Sequence, residues 1–142
     1  MATRDDIETY AVRMGLAYDE VEPGMWVVHE PGEDTMRIVV HLQPPVVVFR
    51  LKLMDVPAHG REALYRKLLE LNATEMLGGA YGIEGDSIVC IETLQSENLD
   101  FNEFQAAIDG LTVAATEHYP VLRQYRDAEH EAPAAGPGGS HP

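Results

Sequence analysis

The most constraining feature of this sequence is a pair of apolar runs with a period of two, split by a double proline. In residues 36–42, Met36, Ile38, Val40 and Leu42 alternate with Arg37, Val39 and His41. Side chains alternate across a strand, so such a set lines one face of a sheet. Gln43, Pro44 and Pro45 interrupt the run. Residues 46–53 then place Val47, Phe49, Leu51 and Leu53 on one face, with Val46, Val48, Arg50 and Lys52 on the other. A Trp- and Val-rich stretch over residues 25–30 precedes them and ends in the turn chemistry of Pro31, Gly32, Glu33 and Asp34. Three strands with short breaks predict an antiparallel meander.

Helical signals bracket these strands. Thr3 with Asp6 has the form of a capping box, and Ile7, Tyr10, Ala11 and Met14 recur at helical spacing up to Gly15. After Pro57 and Gly60, residues 61–71 are dense in strong helix formers, with Leu64, Leu68 and Leu71 along one side. A second hairpin is expected from residues 80–83, a Glu84-Gly85-Asp86 turn, and residues 87–94. Asp100 caps a third helix, with Glu103 at its third position and Leu99 and Phe104 placed as a hydrophobic staple. Its stripe of Phe104, Ile108, Leu111 and Ala115 runs to Tyr119, where Pro120 either ends the helix or opens a last turn. The predicted order is helix, three strands, helix, two strands, helix. That is an α+β class with one antiparallel sheet.

At 142 residues the chain fits one domain over 1–128, followed by a Pro/Gly/His-rich tail over 129–142 whose composition cannot bury enough surface to order itself. A formal charge of -14 opposes binding to nucleic acid or anionic lipid. No apolar run is long enough for a membrane span, and the first residues lack the pattern of a secretory signal. A single cysteine, Cys90, fits a reducing compartment, so the cytosol is expected.

The glycine run at Gly78, Gly79 and Gly82 follows a helix and opens a strand, the reverse of a phosphate cradle, so a helix stop and a close backbone approach are expected. His29, Glu30 and His41 lie on neighbouring strands and would converge as metal ligands only in a suitable register. Cys90 lies between Val89 and Ile91, the setting of a buried, inert thiol. No catalytic residue, cofactor or metal site is expected, and the chain reads as a non-enzyme. More telling are the strands with apolar residues on both faces: Val46 and Val48 opposite Val47 and Phe49, and Val89 and Ile91 opposite Ile88 and Cys90. Both need cover on two sides. The cover is either the middle helix, a second copy or a bound segment.

Several segments resemble the superfamily of YbjN-like and type III secretion chaperone-like proteins: residues 68–72, the glycine-aromatic start at 79–83, the strand 87–91 and the capped helix from Leu99 and Asp100. The resemblance spans residues 3–125 and implies that superfamily's α+β fold. It further implies a small bacterial protein that binds a partly unfolded protein segment on apolar patches, without nucleotide or metal. It also implies a homodimer, with Leu64, Leu68 and Leu71 in the position of the dimer helix and Val46 and Val48 as the partner-binding patch. The strongly acidic surface favours a partner segment that is neutral or basic with apolar anchors. The alternative function is a regulatory dimer that senses a small ligand or modulates another protein.

Overall fold

A computed structural model of the chain describes residues 2–32, 36–76 and 78–131, the last five by their backbone alone. Helix α1 (Arg4–Arg13) opens on the expected capping box. The Asp6 N–H donates to Thr3 Oγ1 at 3.2 Å and the Thr3 N–H to Asp6 Oδ2 at 2.9 Å. Ile7 and Ala11 are the buried side of this helix. The indole N–H of Trp26 donates to Glu8 at 2.9 Å and ties α1 to the sheet.

Four strands follow in antiparallel succession: β1 (Ala17–Glu22), β2 (Met25–His29), β3 (Ile38–Gln43) and β4 (Val46–Asp55). Helix α2 (Arg61–Thr74) leads to the hairpin of β5 (Ala80–Glu84) and β6 (Ser87–Gln95), and β6 inserts beside β4. The sheet order is therefore β1-β2-β3-β4-β6-β5. This is the antiparallel α+β architecture expected, with one strand more than the pattern predicted. β1 escapes a periodicity reading because nearly all of it is exposed and its sequence is acidic, with Asp19, Glu20 and Glu22. Carboxylates on an outermost strand keep that edge from pairing with other chains.

Helix α3 (Phe101–Glu131) starts with the predicted reciprocal cap: the Glu103 N–H donates to Asp100 Oδ1 at 2.8 Å, and the Asp100 N–H to Glu103 Oε1 at 3.3 Å. Leu99 and Phe104 are both buried, as a staple requires. Pro120 neither ends the helix nor opens its last turn. It deprives the Thr116 carbonyl of a donor, but Leu122 is fully buried beyond it, and Tyr119 and Tyr125 pack on the core, so the helix continues. The expected tail lies outside the described residues from 132 onward, as do Glu33 and Asp34 of the expected turn.

All three helices feed one cluster. Trp26, Val28, Ile38, Val40, Val47, Phe49, Leu51 and Cys90 rise from one face of the sheet to meet Ile7 of α1, Leu64, Leu68 and Leu71 of α2, and Phe104, Ile108 and Leu111 of α3. Phe49 and Phe104 meet edge to face, with ring centroids 5.6 Å apart.

Candidate functional site: the open face of the sheet

The register of the ladder fixes what lies on the other face. Val27, Val39, Arg50 and Ile91 form one cross-strand row, and Met25, His41, Val48 and Thr93 the next. Val46 stands at the end of β4, and Val89 pairs with Lys52 on this face. Val48 and Val89 are only 7 % and 4 % exposed, yet both stand apart from the cluster that joins the helices. Val27, Val39, Val46 and Ile91 are half-buried. The face is thus apolar at its centre. The second cover that the two-sided strands call for does not come from α2, whose leucines join the cluster on the opposite face.

A cation, Arg50, sits at the centre of these side chains. Arg50 is half-buried, its Nε shielded from water and without a hydrogen bond, 3.3 Å from Glu84 Oε2. Lys52 and Asp55 pair at 2.8 Å at the rim. A guanidinium in an apolar surround is the composition of a contact surface: it offers planar hydrogen bonding and a long aliphatic stem.

Val46 and Val48, expected as a binding patch, fall on this open face. Leu64, Leu68 and Leu71, expected as a contact between copies, do not fall on a surface at all. They are 0 %, 5 % and 6 % exposed, turned into the chain's own core. A leucine stripe looks the same in sequence whether its cover comes from the same chain or from another. The outer side of α2 presents Leu69 instead, 68 % exposed. Sequence reasoning named Ile91 and Val89 as needing cover but passed over Val27 and Val39, because a valine-rich strand shows its two faces only once the register is known.

The remaining candidates resolve into structure. His29 and His41 share the open face, but His41 pairs with Met25, four residues before His29, which puts the two about 13 Å apart along the sheet. Among the described residues no group of His, Cys, Asp and Glu is placed to hold a metal ion. Cys90 is fully buried, and burial with the nearby Glu92 carboxylate pushes its thiol up to about 12. Gly79 has φ +74°, and a Cβ there would stand 2.9 Å from the Ile91 carbonyl oxygen. The glycine run is a helix exit squeezed against β6.

A buried polar pair completes the helix side. Tyr81 Oη lies 2.7 Å from His118 Nδ1 and donates toward the Ala114 carbonyl at 3.3 Å, locking β5 to α3. Desolvation raises the phenol above its ordinary value. Asn72 of α2 exchanges two bonds with the Tyr81 backbone: its amide donates to the carbonyl at 3.2 Å and its carbonyl accepts the N–H at 2.7 Å. At Tyr81 the outer edge of β5 is thereby occupied by its own chain.

This chain matches the family model CesT_Tir_1 over residues 1–128. It belongs to that family. The fold of this CesT_Tir_1 member is similar to a chain of the heterodimeric ExoU–SpcU complex of the Pseudomonas aeruginosa type III secretion system. The identity there is 16 % and the TM-score 0.66, covering 83 % of this chain and 98 % of that one. It is also similar to YbjN from E. coli, described as a putative transcription regulator (15 %, TM-score 0.59, 80 % and 89 % covered). A third likeness is to a chain of the complex of the Yersinia pestis type III secretion chaperone SycH with a fragment of YscM2 (14 %, TM-score 0.59, 80 % and 96 % covered). These identities carry the fold. No curated protein matches the sequence. Among the described residues, no helix is long and apolar enough to cross a membrane.

Proposed function

We propose that this protein is a chaperone-like, non-enzymatic carrier of the cytosol that holds a segment of another protein on the helix-free face of its sheet. The observation that carries this reading is the apolar row Val27, Val39, Val46, Val48, Val89 and Ile91, which the chain's own helices leave uncovered. Membership in the CesT_Tir_1 family supports it, as does likeness to structures of chaperones held with partner proteins. The client segment is neutral or basic with spaced apolar anchors, because the carrier's charge of -14 repels acidic segments. Copies pair as a homodimer through the outer side of α2 around Leu69, the inner leucines being already engaged.

The test is affinity capture with the tagged chain beside the Val46→Asp/Val48→Asp double variant, whose folding is first checked by circular dichroism. A partner retained by the wild type and lost by the folded variant supports the reading. A partner that ignores the variant overturns the open face as its site.

A further inference from the structure

β4 outruns the strand beside it. Its pairing with β3 ends where Leu51 meets Ile38, while β4 itself continues to Asp55. A register shift between Lys52 and Met54 makes Leu53 a bulge residue, outside the alternation that separates the two faces of the sheet. Beside this stretch, the second half of α3 forms the other wall of two clefts, of about 430 Å³ and about 350 Å³. Both are lined by Lys52, Leu53 and Tyr119, so they join into one groove. Its helical wall, Ala115 to Arg126, is about 16 Å long, and its strand wall, Leu51 to Asp55, about 13 Å.

The two ends of the groove differ in kind. One is mainly apolar, lined by Met36, Leu51, Leu53, Ala115 and Pro120. The other holds Lys52, Asp55 and Arg126. Lys52 pairs with Asp55 at 2.8 Å. Arg126 Nη1 donates to Tyr119 Oη at 2.9 Å, which leaves the phenol its own O–H to donate. Two cations thus stand against one carboxylate, in a chain with 24 acidic residues and 10 basic ones. An apolar trough with a few convergent polar groups at one end is the make-up of a small-molecule site, and its volume is of that order.

We propose that this groove binds a free, single-chain carboxylic acid of medium length. The acyl chain lies along Leu51, Leu53 and Ala115, and the carboxylate meets Lys52, Arg126 and the Tyr119 hydroxyl. Charge complementarity selects the anionic head, and the length of the apolar end selects the tail. The chain's charge of -14 opposes an anionic bilayer, so the acid is taken from solution. The groove lies on the helix side of the sheet, apart from the open face, and its ligand is independent of any protein client.

The probes are hexanoate, octanoate and decanoate, each kept below its micelle-forming concentration and titrated calorimetrically into the full 142-residue chain. Octanamide serves as the uncharged companion of octanoate. Binding is saturable and tightens about two- to fourfold for each added methylene. Octanoate binds roughly fivefold more tightly than octanamide. Thr116, exposed on α3, lines the apolar end, and Thr116→Trp fills that end and abolishes binding, with its folding checked by thermal melting. Lys52→Gln/Arg126→Gln removes the preference for octanoate over octanamide. The Val46→Asp/Val48→Asp variant binds octanoate as the wild type does. Absence of saturable binding, equal binding of octanoate and octanamide by the wild type, or undiminished binding by folded Thr116→Trp overturns the proposal. Where Thr116→Trp does not fold, an unchanged preference in Lys52→Gln/Arg126→Gln overturns it alone. Loss of binding in Val46→Asp/Val48→Asp moves the ligand to the open face and overturns the groove as its site.

Discussion

At the scale of single residues, buried polar groups give the sharpest expectations. Cys90 is held as a thiol whose folded pKa of about 12 exceeds its ordinary value of 9.0. The unfolded chain releases this proton first, so its contribution to stability is present below pH 9.0 and is lost as pH rises toward 12. A thiol reagent at about pH 8 leaves the native chain unmodified and labels it fully in denaturant. The thermal midpoint falls on titration above pH 9.0 and does so less in Cys90→Ser or Cys90→Ala. Tyr81→Phe deletes the bonds to Ala114 and His118 and leaves a buried imidazole nitrogen without its partner, which costs about 1–3 kcal/mol in a denaturant melt. Gly79→Ala forces an L side chain into a positive φ and against the Ile91 carbonyl, a loss of at least ~1–2 kcal/mol. The glycine was legible as a close backbone approach, because a helix exit and a strand start adjoin there. The partner of that approach, an atom twelve residues later on β6, was not.

Among the elements, those with local chemistry declared themselves and those defined by their neighbours did not. Both capping boxes are written in four consecutive residues, and both formed. Asp100→Ala removes the cap of α3 and lowers stability by about 1 kcal/mol, measured by thermal unfolding. β1 was invisible because an acidic edge strand needs only a partner for its backbone, and its side chains carry no pattern. Pro120 was read as a boundary because its local cost is visible in sequence, whereas the burial of Leu122 that offsets it is not. The α2 stripe was legible as a buried face, but not which surface buries it. Leu69→Glu on its solvent side therefore tests the pairing of copies: light scattering gives a dimer for the wild type and a monomer for the variant. Leu68→Glu, by contrast, unfolds the chain in either case.

For the molecule as a whole, composition and architecture act together. A sheet with all its helices on one side leaves an apolar surface in water, and a charge of -14 opposes the stacking of copies through that surface. On the proposed reading the same charge favours a basic client. Raising sodium chloride from about 0.05 to 0.5 M weakens capture of such a client several-fold and slows its association more than its release, as stopped-flow mixing measures. The composition pointed to a solvated, self-repelling molecule. Only the assembled ladder revealed which face stays open.

On the proposed reading, the guanidinium of Arg50 bears on how a client leaves as well as on how it binds. Seen from the client, the middle of the open face is a charge already short of hydrogen bonds, with one carboxylate beside it. Covering it removes the remaining water, and that desolvation opposes the gain from the surrounding valines. A face of valine alone would hold its cargo more tightly with every added apolar contact. One with an arginine at its centre sets a ceiling on its own grip, so a held segment can also be released.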